Sequence, residues 1–169
     1  MRFEFRHQFD VSVEELERIL FSNEMLQLQQ QRMNTIIEIE ALEVQRDGDS
    51  LKRRVRYLPQ PIIKSVGPKK VEPEWMEWVE ESQYDYGAHR GTFKNIPARY
   101  KIAAVMTNEG TLTIRSLGAD RCERTVAGEL KVKVFMVGKI AERIIHLNAA
   151  RILEEEAAVL RTIILNKDI

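Results

Sequence analysis

Residues 2–10 alternate between apolar and polar side chains. Phe3, Phe5 and Phe9 share one face with His7 among them, and this period of two predicts a half-buried strand. Ser12-Val13-Glu14-Glu15 then has the form of a capping box, and Val13, Leu16, Ile19 and Leu20 follow at helical spacing. Asn23 is positioned to cap a second short helix carrying Met25, Leu26 and Leu28, whose polar run from Gln27 to Gln31 places it at the surface. The period returns to two over 35–46, with Ile37, Ile39 and Ala41 on one face and Leu42 and Val44 on the other. That change of phase predicts a bulge near Ala41. Asp47-Gly48 reads as a turn, and Leu51, Val55 and Tyr57 alternate with Lys52, Arg54 and Arg56 beyond it.

The stretch 59–73 carries Pro59, Pro61, Gly67, Pro68 and Pro73 together with Ile62, Ile63 and Val66, so it predicts an apolar loop that covers something. Residues 74–86 read as a strand with Trp75, Trp78, Val79 and Tyr84, and 89–93 as a short one. Tyr100, Ile102, Ala104 and Met106 alternate as another strand, ended by a turn at Asn108-Glu109-Gly110. Leu112 and Ile114 mark the next strand and Gly118-Ala119-Asp120 the next turn. Val126, Gly128, Leu130, Val132 and Val134 share one face of the last strand. From Gly138 to Asn166 no proline or further glycine intervenes, and Ile140, Ile144, Leu147, Ile152, Leu160 and Ile163 recur among Ala and Glu. This is one amphipathic helix of roughly 42 Å. A meander this wide must curl, and only that helix can cover its concave face. The expected class is α+β, one domain over 1–169, a curved antiparallel sheet gripping a long C-terminal helix around a cavity.

Composition narrows the function. The 169 residues carry 26 basic and 26 acidic side chains, so the chain lacks the basic excess typical of nucleic-acid partners. The run Lys52-Arg53-Arg54-Val55-Arg56 instead matches the acidic run Glu72, Glu74, Glu77, Glu80 and Glu81, as adjacent antiparallel strands would. A single cysteine, Cys122, excludes an internal disulfide and reads as a strand residue near a turn. No stretch approaches about 18 uninterrupted apolar residues, and the charged start lacks a signal-peptide core, so a cytoplasmic location is expected. His7, His89 and His146 have no metal-ligand spacing, and neither a metal nor a cofactor is implied. Arg143, Arg151 and Glu154 to Glu156 interrupt any strict heptad seam, so the helix reads as a sheet cover rather than a coiled coil.

The element order, with Phe9-Asp10-Val11-Ser12-Val13-Glu14-Glu15-Leu16 closing the first strand, resembles the START/Bet v 1-like (helix-grip, polyketide cyclase/lipid-transport) superfamily over nearly the whole chain. More locally, Leu58-Pro59-Gln60-Pro61-Ile62-Ile63-Lys64-Ser65-Val66-Gly67 looks like a loop of PRELI-type lipid-transfer proteins, and of an uncharacterised bacterial START-like branch. The resemblance implies binding, and by extension transport, of a lipid or another hydrophobic small molecule by a monomer or weak dimer. Residues expected on the cavity are Val55, Tyr57, Ile62 and Ile63; Trp78, Tyr84 and His89; Tyr100, Ile102, Ala104 and Met106; Leu130 and Val132; and Ile140, Ile144 and Leu147. Trp75 and Trp78, three apart, cannot both point inward on a regular strand. Residues 59–71 are expected as a lid, with Lys64, Lys69 and Lys70 suited to transient contact with a membrane surface. Two other readings compete with a non-enzymatic binder. A cyclase, aromatase or dehydratase would need a polar dyad, such as His89 with Tyr84 or Tyr100, inside the cavity. A co-chaperone-like interaction module would show a filled cavity and a large exposed apolar patch.

Overall fold

The computed structural model describes residues 1–66 and 68–167. It opens with β1 (Arg2–Phe9), α1 (Val13–Leu20) and α2 (Asn23–Arg32), followed by β2 (Ile36–Asp47) and β3 (Ser50–Pro59). A short antiparallel pair, β4 (Ser65–Val66) and β5 (Lys69–Lys70), and a 3₁₀ turn (Pro73–Trp75) lead into β6 (Trp78–Asp85) and β7 (Arg90–Pro97). A one-turn helix α3 (Tyr100–Ala103), the hairpin of β8 (Met106–Gly118) and β9 (Arg121–Val132), and α4 (Gly138–Lys167) complete it. Seven strands form one antiparallel sheet in the order β1-β9-β8-β7-β6-β3-β2. Phe9, Leu16, Ile19, Met25, Ile39, Val55, Ile114 and the C-terminal half of α4 close one core on its concave side.

Local chemistry sets the short helices. The Ser12 hydroxyl accepts from the Glu15 amide at 3.2 Å, as the capping box predicts. For α2 the cap is Ser22, accepting from Met25 at 3.1 Å, and Asn23 is the first helical residue instead. The bulge near Ala41 is present, but a second irregularity between Ile36 and Glu38 turns Ile36 and Ile39 inward and leaves Ile37 outside. The basic and acidic runs lie on neighbouring strands: Arg54 is opposite Glu81, and their side chains pair at 3.3 Å. Arg56 bridges Glu40 of β2 at 2.9 Å and Glu77, just before β6, at 3.7 Å. Such exposed pairs each contribute only about 0.2–1 kcal/mol.

Two segments depart from the predicted strands. Tyr100–Ala103 is a helical turn whose start carbonyl, Arg99, accepts from Ile102 and Ala103, both at 3.0 Å. Asn108-Glu109-Gly110 is no turn, because β8 runs straight through it. Gly110 faces Gly128 across the hairpin, and a Cβ on Gly110 would stand 2.1 Å from the Ala127 oxygen, so the glycine permits close backbone approach there.

Helix α4 is docked by its carboxylates. Arg124, 1% exposed, donates to Glu156 at 2.5 Å, and Glu156 also accepts from Gln29 of α2 at 2.9 Å. Glu155 accepts from the Thr35 amide at 2.9 Å and its hydroxyl at 2.6 Å, and Glu154 meets His7 at 3.3 Å. Glu142 accepts from the Val132 amide at 3.0 Å near the other end. Three consecutive glutamates thus reach β1, the α2–β2 connection, and β9 with α2. We predict that Glu156→Ala, which strands a buried guanidinium, destabilises the protein by about 3–5 kcal/mol, whereas Arg124→Leu/Glu156→Leu loses distinctly less. Urea unfolding of the two variants checks this, and equal losses would refute it.

Candidate functional site

Concave-face residues meet in ranks across the sheet. One rank runs Val55, Glu80, Asn95, Asn108, Leu130; the next runs Arg53, Ser82, Phe93, Gly110, Gly128, Phe3. The paired glycines leave the second rank hollow in the middle, with Phe93 and Phe3 at its flanks. Over these ranks α4 presents Ile145, His146, Ala149, Ile152, Leu153 and Glu156, and the space between is a cavity of about 320 Å³. Its walls are mainly aromatic and aliphatic: Phe5, Phe21, Tyr57, Trp78, Met106 and Leu112 contribute from several elements. A broader groove of about 840 Å³ lies on the convex side among charged residues such as Arg54, Glu81, Lys94 and Glu109. It is an open surface and lacks the enclosure a small apolar molecule requires.

Polar atoms interrupt the apolar wall. Asn95 Oδ1, Asn108 Oδ1, His146 Nδ1 and Arg53 Nε are buried without a hydrogen-bond partner. His146 stacks on Phe5 at 5.2 Å between ring centres. Burial pushes the Glu80 carboxyl above its ordinary range, against the pull of the Arg53 charge, and the surface Glu80 retains is turned to the cavity. Burial likewise holds the Tyr57 hydroxyl well above its usual value, and Tyr57 stacks on Trp78 at 5.1 Å. The neighbouring network is closed. His7 is held below its ordinary value by burial and by Arg124, whose Nη2 donates to its Nδ1 at 3.4 Å. Burial pushes the Cys122 thiol up to about 11, which suits an inert core residue.

Of the residues expected on the cavity, Tyr57, Ile62, Trp78, Tyr84, Ile102, Met106 and Leu130 line it. Val55 is on the concave face but is fully packed in the core, and Val132 is half-buried off the wall. Ile63 and Ala104 are exposed, and the Tyr100 ring, 77% exposed, points away with its helical turn. The helix stripe is displaced. Ile140 and Leu147 are 61% and 60% exposed, and Ile144 is half-buried off the wall. Their stripe runs on into Arg151 and Glu154, whereas Ile145, Ala149, Ile152, Glu156, Leu160 and Ile163 form the face that docks. Trp75 and Trp78 both line the cavity, because the 3₁₀ turn before β6 breaks strand alternation. His89 is off the wall, at a turn with φ 51°. Its Nδ1 meets Glu17 Oε1 at 2.8 Å, and the same oxygen accepts from the Tyr84 hydroxyl at 2.7 Å. The proposed dyad therefore converges on a buried carboxylate of α1 rather than on the cavity. In the 59–71 segment, Ile62 reaches the cavity and Val71 is buried; Gly67 and the side chains of Val66 and Lys69 lie outside the described residues.

Arg53, Glu80, Asn95, Asn108 and His146 were not expected on the cavity. Arg53 carries a signal in hindsight, since it shares strand parity with Leu51, Val55 and Tyr57. Among the described residues no group of His, Cys, Asp and Glu is arranged to hold a metal ion, and no helix is long and apolar enough to cross a membrane.

A sheet gripping a long helix over an internal cavity defines the START/Bet v 1-like helix-grip fold. Solved structures of the same fold bear this out. The Zhui aromatase/cyclase from Streptomyces sp. R1128 is 11% identical, with a TM-score of 0.65, covering 95% of this chain and 93% of that one. Norcoclaurine synthase from Thalictrum flavum is 16% identical, with a TM-score of 0.65, covering 98% and 86%. A START superfamily protein from Mycobacterium smegmatis is 15% identical, with a TM-score of 0.55, covering 95% and 94%. The chain belongs to the family described as "Protein of unknown function (DUF2505)", whose profile matches residues 4–164. Comparison with curated proteins gives no match.

The buried Glu80 generates a prediction. Its folded pKa lies above the unfolded value, so the native state holds the extra proton, and stability falls as pH rises from the ordinary carboxyl range through the raised value. Glu80→Gln is expected to match the parent near pH 4 and to melt at a higher temperature at pH 8. Thermal melts at both pH values check this; a variant less stable at pH 8 would refute it.

Proposed function

We propose that this protein binds one small, largely apolar molecule in the cavity between the sheet and α4. The observation that carries the reading is the cavity wall itself, an apolar enclosure with a few buried polar atoms left without partners. Partnerless buried polar groups each destabilise the fold by about 1–3 kcal/mol, so their presence in a cavity suits a ligand that completes them. The volume is at the lower end for small-molecule pockets, which favours a compact ligand over a two-chain phospholipid. Asn95 and Asn108 lie side by side across β7 and β8 and would orient the ligand's polar groups.

Relatives in fold include an aromatase/cyclase and a norcoclaurine synthase in complex with dopamine and hydroxybenzaldehyde, so the architecture accommodates catalysis as well as binding. Here the enzyme reading has its support in Glu80 on the sheet and His146 on α4, which line the cavity from its two sides. Their part would be proton transfer to a bound substrate.

The binding reading is tested by filling the space. Ala149→Phe is expected to weaken uptake of apolar probes by at least about tenfold, read through the fluorescence of Trp75 and Trp78, with the fold retained by circular dichroism. Native mass spectrometry of protein from its own host should show a co-purifying small molecule in the parent and its loss in Ala149→Phe. Unchanged probe affinity in a folded variant would remove the reading. For the 59–71 segment as a lid, Ile62→Ser with Ile63→Ser should slow ligand exchange between vesicles and protein while leaving the melting temperature nearly intact. A collapse of stability with unchanged exchange per folded molecule would assign the segment to packing alone.

A further inference from the structure

Arg53 is the feature that the fold does not account for. It is 9% exposed and belongs to the cavity wall. Its Nε has no hydrogen-bond partner, and among the described residues its side chain closes no ion pair. The Phe21 ring lies 5.0 Å from the guanidinium carbon, and the Arg53 charge acts on Glu80 and Tyr57 nearby. Arg124, the other guanidinium on the wall, also has a partnerless Nε, but its two Nη atoms meet Glu156 at 2.5 Å and His7 at 3.4 Å. A buried cation without a counter-charge is costly, and the usual remedies are a paired carboxylate or hydration. Glu156 is committed to Arg124 and Gln29. Glu80 lies diagonally across β6 from Arg53, opposite Val55 where Arg53 is opposite Ser82. Burial raises the Glu80 carboxyl against the pull of the Arg53 charge, and among the described residues the two side chains form no ion pair.

We propose that Arg53 is the anchor for a carboxylate, so that the ligand of this cavity is a small apolar monocarboxylate. This rests on the binding reading above and adds the ligand's charged group to it. A guanidinium presents parallel N–H donors that fit a carboxylate two-for-two, and inside an apolar enclosure such a pair is little screened. A single guanidinium without an ion-pair partner among the described residues matches a monoanion rather than a doubly charged phosphate. Ser82, opposite Arg53 on β6, adds a hydroxyl donor beside the anchor. The aromatic walls near Phe21, Tyr57 and Trp78 receive the apolar body.

The test uses the whole chain at pH 7 and four probes in two pairs, decanoate with 1-decanol and 2-naphthoate with 2-naphthalenemethanol. Dissociation constants are read by tryptophan fluorescence and calorimetry. The parent is expected to prefer at least one carboxylate over its alcohol by at least about tenfold. Arg53→Met is expected to lose that preference while binding the alcohol as before. The pair showing the preference distinguishes an aliphatic from an aromatic body. A parent that binds each alcohol as tightly as its acid overturns the anchor and leaves the cavity reading standing, as does an Arg53→Met variant that keeps the preference. Binding of none of the four to the parent, with Ala149→Phe equally inert, overturns both. If Arg53→Met does not fold, Arg53→Lys decides with the parent comparison: it keeps the charge but loses the paired donors, and should weaken the acid while sparing the alcohol.

Discussion

The pairing of Arg124 with Glu156 is the constraint on which the arrangement depends. A guanidinium buried on β9 cannot be left in a core without a counter-charge, and among the described residues α4 brings it. That requirement fixes the rotation of α4 about its axis, because Glu156 must face the sheet. Once it does, Glu155 falls to the α2–β2 side and Glu154 to β1, and each finds a partner there. Positions seven and eleven residues earlier, Ala149 and Ile145, then lie on the same face and become the cavity roof. One polar contact thus sets both the docking of the helix and the identity of the residues that line the space beneath it.

The same constraint explains which parts of the fold were legible in the chain. Outside residues 100–110, strand and helix order followed from periods of two and of about 3.6, and the sheet's outer charge pairs followed from matching runs on neighbouring segments. The helix face did not. Two apolar stripes overlap in the first half of α4, and hydrophobicity alone favours Ile140, Ile144 and Leu147 over a stripe diluted by Ala149 and ending in Glu156. Following each stripe to its C-terminal end separates them, since one reaches Arg151 and Glu154 and the other Leu160 and Ile163. Gly110 misled for a related reason. A glycine after Asn and Glu has the chemistry of a turn, yet here its missing side chain serves a backbone contact that depends on a partner, Gly128, eighteen positions along the chain.

The site was less legible than the fold, because the sequence cues for a cavity and for a core are the same. Tyr57, Trp78, Met106 and Leu130 are apolar residues on an inward face, and whether they touch one another or an empty space depends on what stands opposite. Val55, on the same strand face as Tyr57, packs fully and lines nothing. What distinguishes a cavity from a core is the polar residue on the inward face that a core would exclude. Arg53, Glu80, Asn95 and Asn108 occupy inward parity on β3, β6, β7 and β8, and in the sequence they look like surface residues displaced by one. A strand whose inward face carries both Val55 and Arg53 has given up some stability, since an apolar side chain would pack that position without an unmet charge. Arg124 recovers that loss through a partner within the fold. Among the described residues Arg53 closes no ion pair and its Nε has no hydrogen-bond partner, which directs attention from the fold to whatever enters the cavity.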